Sequence, residues 1–176
     1  LDGTKVALWV YLQTEVKTRT LPHGDYEVSH GDYRHIWSAS NYNKASKSEY
    51  QTRLLLNDYV MRLAEQGCSL ADNCIRTWFF VQNVDVNYGG VVKARNEVFL
   101  TQNLTEKTHF IASTGIAGRH ADHEVLVQMD AYAVAGLAKD QIRYIYGSTH
   151  LNPTYEYGVT FERGTAVDYP DRRQVF

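Results

Sequence analysis

The sequence predicts an α+β fold: one mixed sheet with two helices packed on one of its faces. Three observations carry this. Two segments have helical apolar spacing, at about 50–64 and 91–99. At least five other segments are β-branched or aromatic runs bounded by turn residues. The order is strand, hairpin, helix, strand, helix, strand, strand, tail. The helices are interleaved without strict βαβ alternation, which favours segregated over alternating architecture.

Val6 to Leu12 is an apolar run of strand type within a first segment, Leu1 to Gln13, that reads as extended. Pro22-His23-Gly24-Asp25 is turn chemistry. Tyr26–Ser29 and Tyr33–Ala39 flank His30-Gly31-Asp32 and read as a hairpin. Asn41 to Ala45 reads as loop. Ser46 and Glu49 have capping-box spacing ahead of Tyr50, Leu54, Leu56, Val60, Leu63 and Ala64, with Gly67 as the stop. The apolar run at Leu54–Leu56 implies a well-covered helix, and a sheet is the expected cover. Cys74 to Val81 is the strongest strand signal. Asp85 or Asn87 is the expected cap of the second helix, which carries Val91, Val92, Val98 and Phe99 on one face. Asn103–Thr108 reads as loop, His109–Ile116 as strand, Gly118–His123 as charged turn and Glu124–Val134 as long strand. The other face of such a sheet needs a cover, for which self-association is the usual answer.

Composition narrows the function. The chain has 176 residues, 44% hydrophobic and 22% charged, with a formal net charge of −2. These are ordinary values for a globular domain, and the length supports a core without staples. The sequence pI of about 6.4 argues against a general nucleic-acid or membrane-surface binder. No apolar run approaches the roughly 20 residues of a membrane span. Cys68 and Cys74 cannot make a disulfide framework. They read as two free thiols of a reducing, cytoplasmic compartment, with one bridge across the short intervening loop as the other reading. Both chain ends fall inside strand-like runs, so the sequence reads as a piece of a longer protein.

Candidate chemistry is sparse. His120-Ala121-Asp122-His123-Glu124 is the densest set of potential metal ligands, but it lacks the helical two-histidine spacing and reads as a solvated turn. His109 and Ser113 share a strand face too far apart for direct contact, which leaves no nucleophile–base pair. Gly115-Ile116-Ala117-Gly118 lacks the lysine and spacing of a phosphate loop. It reads as a turn whose backbone N–H groups can approach an anion. Arg76 and Trp78 alternate on one strand and share a face, suited to stacking and carboxylate reading or to a subunit interface. The 13 tyrosines include Tyr144, Tyr146, Tyr155, Tyr157 and Tyr169 late in the chain, a composition that packs on surfaces or partners.

An ordered set of short motifs resembles the Rid family, also labelled YjgF, translation initiation inhibitor or endoribonuclease L-PSP. These are Gln51-Thr52, Leu63 to Gly67, Arg76-Thr77-Trp78, Asn83 to Tyr88, Ala94 to Phe99, Ile111 to Gly115 and Val127 to Val134. Ile36 to Ser40 looks like the family's second strand. The resemblance covers about half the chain, Tyr50 to Val134. It implies a chorismate mutase-like fold, homotrimers, and ligand clefts between subunits, without a cofactor or metal. On this resemblance residues 1–24 are a strand extension, 25–138 the Rid-like domain and 139–176 a tail that starts a second such domain.

Two departures matter. Family imine deaminases read Pro-Ala-Arg where this chain has Ile111-Ala112-Ser113, and a glutamate where it has Gln128. An amide cannot take a proton as a carboxylate does, and serine cannot fork onto a carboxylate. The resemblance thus implies a non-deaminase that holds a small carboxylated metabolite. Ser113, Thr114, Gly115 and Gln128 are its expected contacts, with Ser38, Arg76 and Trp78. Restoring Ser113→Arg and Gln128→Glu is expected to move the site toward deaminase chemistry. Ala112 to Gly118 also resembles the chorismatase-type branch, in which two Rid-like domains share a chain and the active site lies largely in the second. The alternative is therefore a non-catalytic half of a larger chorismatase-like hydrolase.

Overall fold

A computed structural model describes residue 8 and residues 10–176 of the chain. The strand expected over Val6–Leu12 lies partly outside the described residues, and residues 8 and 10–12 have no regular structure. The main sheet contains β1 (Lys17–Thr20), β2 (Tyr26–His30), β3 (Tyr33–Tyr42), β4 (Cys74–Val81), β5 (Ala112–Ala117) and β6 (Val127–Ala135). Their order is β1-β2-β3-β6-β4-β5. Neighbours are antiparallel except β4 and β5, which run parallel, so the sheet is mixed as expected.

Helices α1 (Ser48–Glu65) and α3 (Val84–Thr101) pack on one face, with a single turn, α2 (Leu70–Asn73), leading into β4. Leu55, Leu56, Tyr59, Phe79, Val91, Phe99 and Met129 meet there as the main core. At about 1.5–3 kcal/mol per fully buried side chain, this layer dominates the stability.

The helix ends differ from the sequence reading. The Ser46–Glu49 capping box does not form. Lys47 is the N-cap of α1, while Glu49 is held by Arg53 and Lys93. Neither Asp85 nor Asn87 caps α3. Asn83 does so in a left-handed conformation, and Asn87 instead donates to the Gln82 carbonyl. Gly67 does follow the α1 C-cap with φ 70°, and the Cys68 N–H returns to the Leu63 carbonyl.

The buried stripe of α1 is also rotated from the expected one. Tyr50 and Leu54 are exposed, whereas Gln51, Thr52 and Arg62 are buried. Gln51 and Arg62 are buried because the fold uses them, whereas the Thr52 hydroxyl has no hydrogen-bond partner among the described residues. The Gln51 amide donates to the carbonyls of Ala45 and Glu124 and accepts from the N–H groups of Leu126 and Val127. Arg62 pairs with buried Asp25 at 2.7 Å. Two strands also shift. β3 runs on through Asn41 and Tyr42, and β6 starts at Val127, because Gln51 holds the chain before it. His109 to Ile111 precede β5 rather than belong to it. The His109 ring stacks on Tyr144 and bonds the Ala71 carbonyl.

Residues 139–176 fold back as a second antiparallel sheet, β7 (Ile142–Ile145), β8 (Gly164–Asp168) and β9 (Arg173–Val175). Val167 and Tyr169 pack on Ile75, Tyr132 and Val134, on the sheet face opposite the helices. Part of that face is therefore covered from within the chain. Both cysteines are free and buried, and burial pushes the Cys74 thiol up to about 12. Among the described residues no helix is long and apolar enough to cross a membrane.

Candidate functional site

Strand periodicity builds the site. On β4, Phe79 and Val81 enter the helix-side core, which turns Arg76, Trp78 and Phe80 to the opposite face. On β6, Met129, Ala131 and Ala133 enter the core, which turns Asp130 and Tyr132 the other way. Where the second sheet ends, this face stays open as a cleft of about 890 Å³ lined by Trp37, Arg76, Trp78, Phe80, Asp130 and Phe176. Phe176 closes one end, 4.9 Å from the Tyr132 ring, which in turn stacks at 4.1 Å on Trp37.

Arg76 is partly buried. It donates to the Thr114 hydroxyl on the neighbouring strand, and its guanidinium lies 5.6 Å from the centre of the Trp78 ring. Burial lowers its pKa, but a guanidinium starts so high that it stays charged. Asp130 stands directly opposite Trp78 in the β4–β6 register. It accepts one hydrogen bond, 2.7 Å, from the Ser40 N–H, while burial raises its pKa. A β3 irregularity between Ser38 and Asn41 makes that bond, with Ser40 at φ 57°. Among the described residues neither Arg76 nor Asp130 forms an ion pair.

The seven residues expected at the site separate into two groups. Arg76 and Trp78 line the cleft, and Thr114 holds Arg76. Gln128 lies on the same face of β6, between Phe80 and Tyr42 in the registers. Ser38 borders the cleft, but its buried hydroxyl accepts from Arg62 and Asn41. Ser113 is buried, with its hydroxyl accepting from Thr77 at 2.9 Å. Gly115 lies under Tyr88 of α3, whose ring carbon stands 2.5 Å from where a Cβ would be. Ser113 and Gly115 thus face the helix layer, because they are odd-numbered on a strand whose even positions reach Arg76. An arginine at 113 would enter that layer, so the Ser113→Arg exchange cannot rebuild a carboxylate fork in this cleft.

Asp130, Trp37, Phe80 and Phe176 were not expected. Asp130 was findable, since it shares parity with Gln128 on β6. The histidine-rich turn is tied up locally: Lys44 pairs with Asp122 and Glu124, and the His120 ring lies 4.5 Å from Tyr42. Among the described residues no three His, Cys, Asp or Glu side chains gather to hold a metal ion.

No family model and no curated protein matches the sequence. Solved structures do match in fold. Chorismatase superposes with a TM-score of 0.61 at 16% identity, over 92% of this chain and 48% of its own. This chain therefore spans about half the length of chorismatase. NMB1025 of Neisseria meningitidis, a member of the YjgF protein family, gives 0.54 at 15% identity over 70% of this chain and 98% of its own. E. coli TdcF with bound serine gives 0.51 at 15% identity, over 73% and 91%. The fold of this chain is that of the YjgF proteins and of a stretch of chorismatase about half its length.

Proposed function

We propose that this chain is a Rid-type member of the YjgF family that binds a small carboxylated metabolite in the cleft beside Arg76, with further closure by neighbouring copies in a homotrimer. The observation that carries the reading is Arg76 itself. It is a partly buried, permanently charged fork in an aromatic-walled cleft, without a carboxylate partner among the described residues. A group of that kind binds anions with 1.5–3 kcal/mol per charge-assisted hydrogen bond. The motif resemblance and the shared fold support the family. Ser113 and Gln128 stand where the deaminases of the family have arginine and glutamate, so imine deamination is not proposed.

The test is calorimetric titration of the chain with acetate, pyruvate and L-serine, repeated on Arg76→Gln. Saturable binding that weakens roughly 10- to 100-fold in the variant supports the reading. Carboxylate binding that Arg76→Gln leaves intact would place the ligand elsewhere and sink it.

A second reading, a non-catalytic half of a chorismatase-like hydrolase, is favoured by one specific observation. An alignment over 92% of the chain cannot be made without residues beyond 138, so the likeness to chorismatase extends into the stretch 139–176. Hydrolysis by a two-domain protein containing this chain, and none by this chain alone, would support it. Activity in neither would count against it.

A further inference from the structure

The cleft holds two opposite charges that do not neutralise each other. Arg76 lies opposite Tyr132 in the β4–β6 register, and Asp130 lies opposite Trp78. They are thus diagonal neighbours on adjacent strands, about 7–8 Å apart at the backbone, with the Trp78 ring beside both. Arg76 spends one donor on Thr114. Asp130 accepts from the Ser40 N–H alone among the described residues, which leaves most of its lone pairs free. That one bond is maintained at a cost, because Ser40 is a non-glycine residue in the left-handed region. The strand irregularity therefore fixes a carboxylate at the cleft wall rather than letting it turn into solvent.

The geometry points to a zwitterionic α-amino acid with an aromatic side chain as the ligand of this cleft, its carboxylate on Arg76, its ammonium on Asp130 and its ring among Trp78, Phe80 and Phe176. The inference rests on the carboxylate reading above and adds selectivity to it. An α-amino acid carries its ammonium and carboxylate on one carbon, so it offers Asp130 and the Arg76 donors not spent on Thr114 a charge-assisted partner each. A planar ring gains from offset or edge contact with aromatic neighbours beyond the area it buries. Asp130 also sets what is refused, since a second carboxylate on the ligand would meet a like charge in a partly desolvated site.

The experiment titrates the full chain with four compounds and reads heat, with tryptophan fluorescence in parallel. L-Phenylalanine carries all three features. 3-Phenylpropanoate lacks the ammonium, phenethylamine lacks the carboxylate, and L-serine lacks the ring. L-Phenylalanine is expected to bind at least tenfold more tightly than each of the others. In Asp130→Asn the amide oxygen still accepts from Ser40, so the wall keeps its shape. That variant is expected to lose at least tenfold for L-phenylalanine while 3-phenylpropanoate changes less than twofold. Equal binding of L-phenylalanine and 3-phenylpropanoate overturns the role of Asp130, and equal binding of L-phenylalanine and L-serine overturns the role of the rings. Either result leaves the carboxylate reading intact if Arg76→Gln still weakens binding at least tenfold. If none of the carboxylates binds, both readings fall together.

Discussion

Several single residues in this protein are buried in states that water would not favour, and they set its response to pH. The Glu162 carboxyl is buried beside the Phe110 N–H, and burial raises it from 4.5 to about 6 despite that hydrogen bond. The folded chain therefore holds this proton more tightly than the unfolded chain. Its contribution is fully present below about pH 4.5 and is lost as pH rises through 6. His35 works in the opposite sense. Burial, then the charges of Arg172 and His30, lower it from 6.5 to about 4, while the Tyr132 hydroxyl bonds its Nδ1 at 2.7 Å. Its contribution is present above pH 6.5 and lost as pH falls through 4. Glu162→Gln keeps an oxygen for the Phe110 N–H and removes the charge. It is expected to stabilise the protein at pH 7 by on the order of 1 kcal/mol, with little gain at pH 4.5. Urea unfolding at the two pH values checks this, and equal midpoints at pH 7 would rule the burial penalty out.

At the scale of elements, the contact between the two long helices depends on one of two adjacent glycines. A Cβ on Gly90 would meet the Ser48 hydroxyl at 2.3 Å and the Glu49 backbone N at 2.7 Å, whereas a Cβ on Gly89 would meet nothing within 4 Å. Gly90→Ala is therefore expected to cost about 1–3 kcal/mol through overpacking of α1 on α3. Gly89→Ala is expected to stabilise by up to about 1 kcal/mol, through helix propensity and a less flexible unfolded chain. Thermal melts of the pair decide it, and the same sign for both would mean that the close approach is absent. β4, the β2–β3 hairpin and both long helices were legible in place and type, from a β-branched and aromatic run, a Gly31-Asp32 turn and helical apolar spacing, although the buried face of α1 was not. The caps were not, since several side chains compete for each free N–H and tertiary pairs such as Glu49 with Lys93 decide the contest. β7 and β8 were not legible either: strands of four and five residues are too short for alternation to stand out before they pair.

For the whole molecule, the second sheet matters most. It buries Val167 completely against the face that carries the cleft, and the cleft begins where that cover ends. Val167→Asp puts an unpaired charge there. It is expected to cost at least about 3 kcal/mol and to raise binding of an apolar dye, without disturbing the helix-side core. Hydrogen exchange would localise the loss to β7–β9 and the facing part of β6. Uniform deprotection would instead mean that the two sheets unfold as one unit. Light scattering addresses the proposed assembly: three times 20.1 kDa supports clefts completed by neighbouring copies, and a monomer removes that part of the proposal.

The sequence by itself determined the α+β class, the helix-backed mixed sheet, and the shared face of Arg76 and Trp78. These follow from local periodicity, which is a property of consecutive residues. It also identified serine at 113 and glutamine at 128, the positions that the motif resemblance sets beside the deaminase arginine and glutamate. Only the tertiary structure decided which expected residues meet. Ser113 and Gly115 turn to the helices while Thr114 turns to Arg76, since register and the start of β5 at Ala112 set their parity. Asp130 faces the cleft by strand parity, but its Ser40 partner comes from a strand irregularity 90 residues away in sequence, and Phe176 reaches the site through the folding back of the last three strands. Long-range placements of this kind depend on pairing between distant segments, which local pattern does not encode.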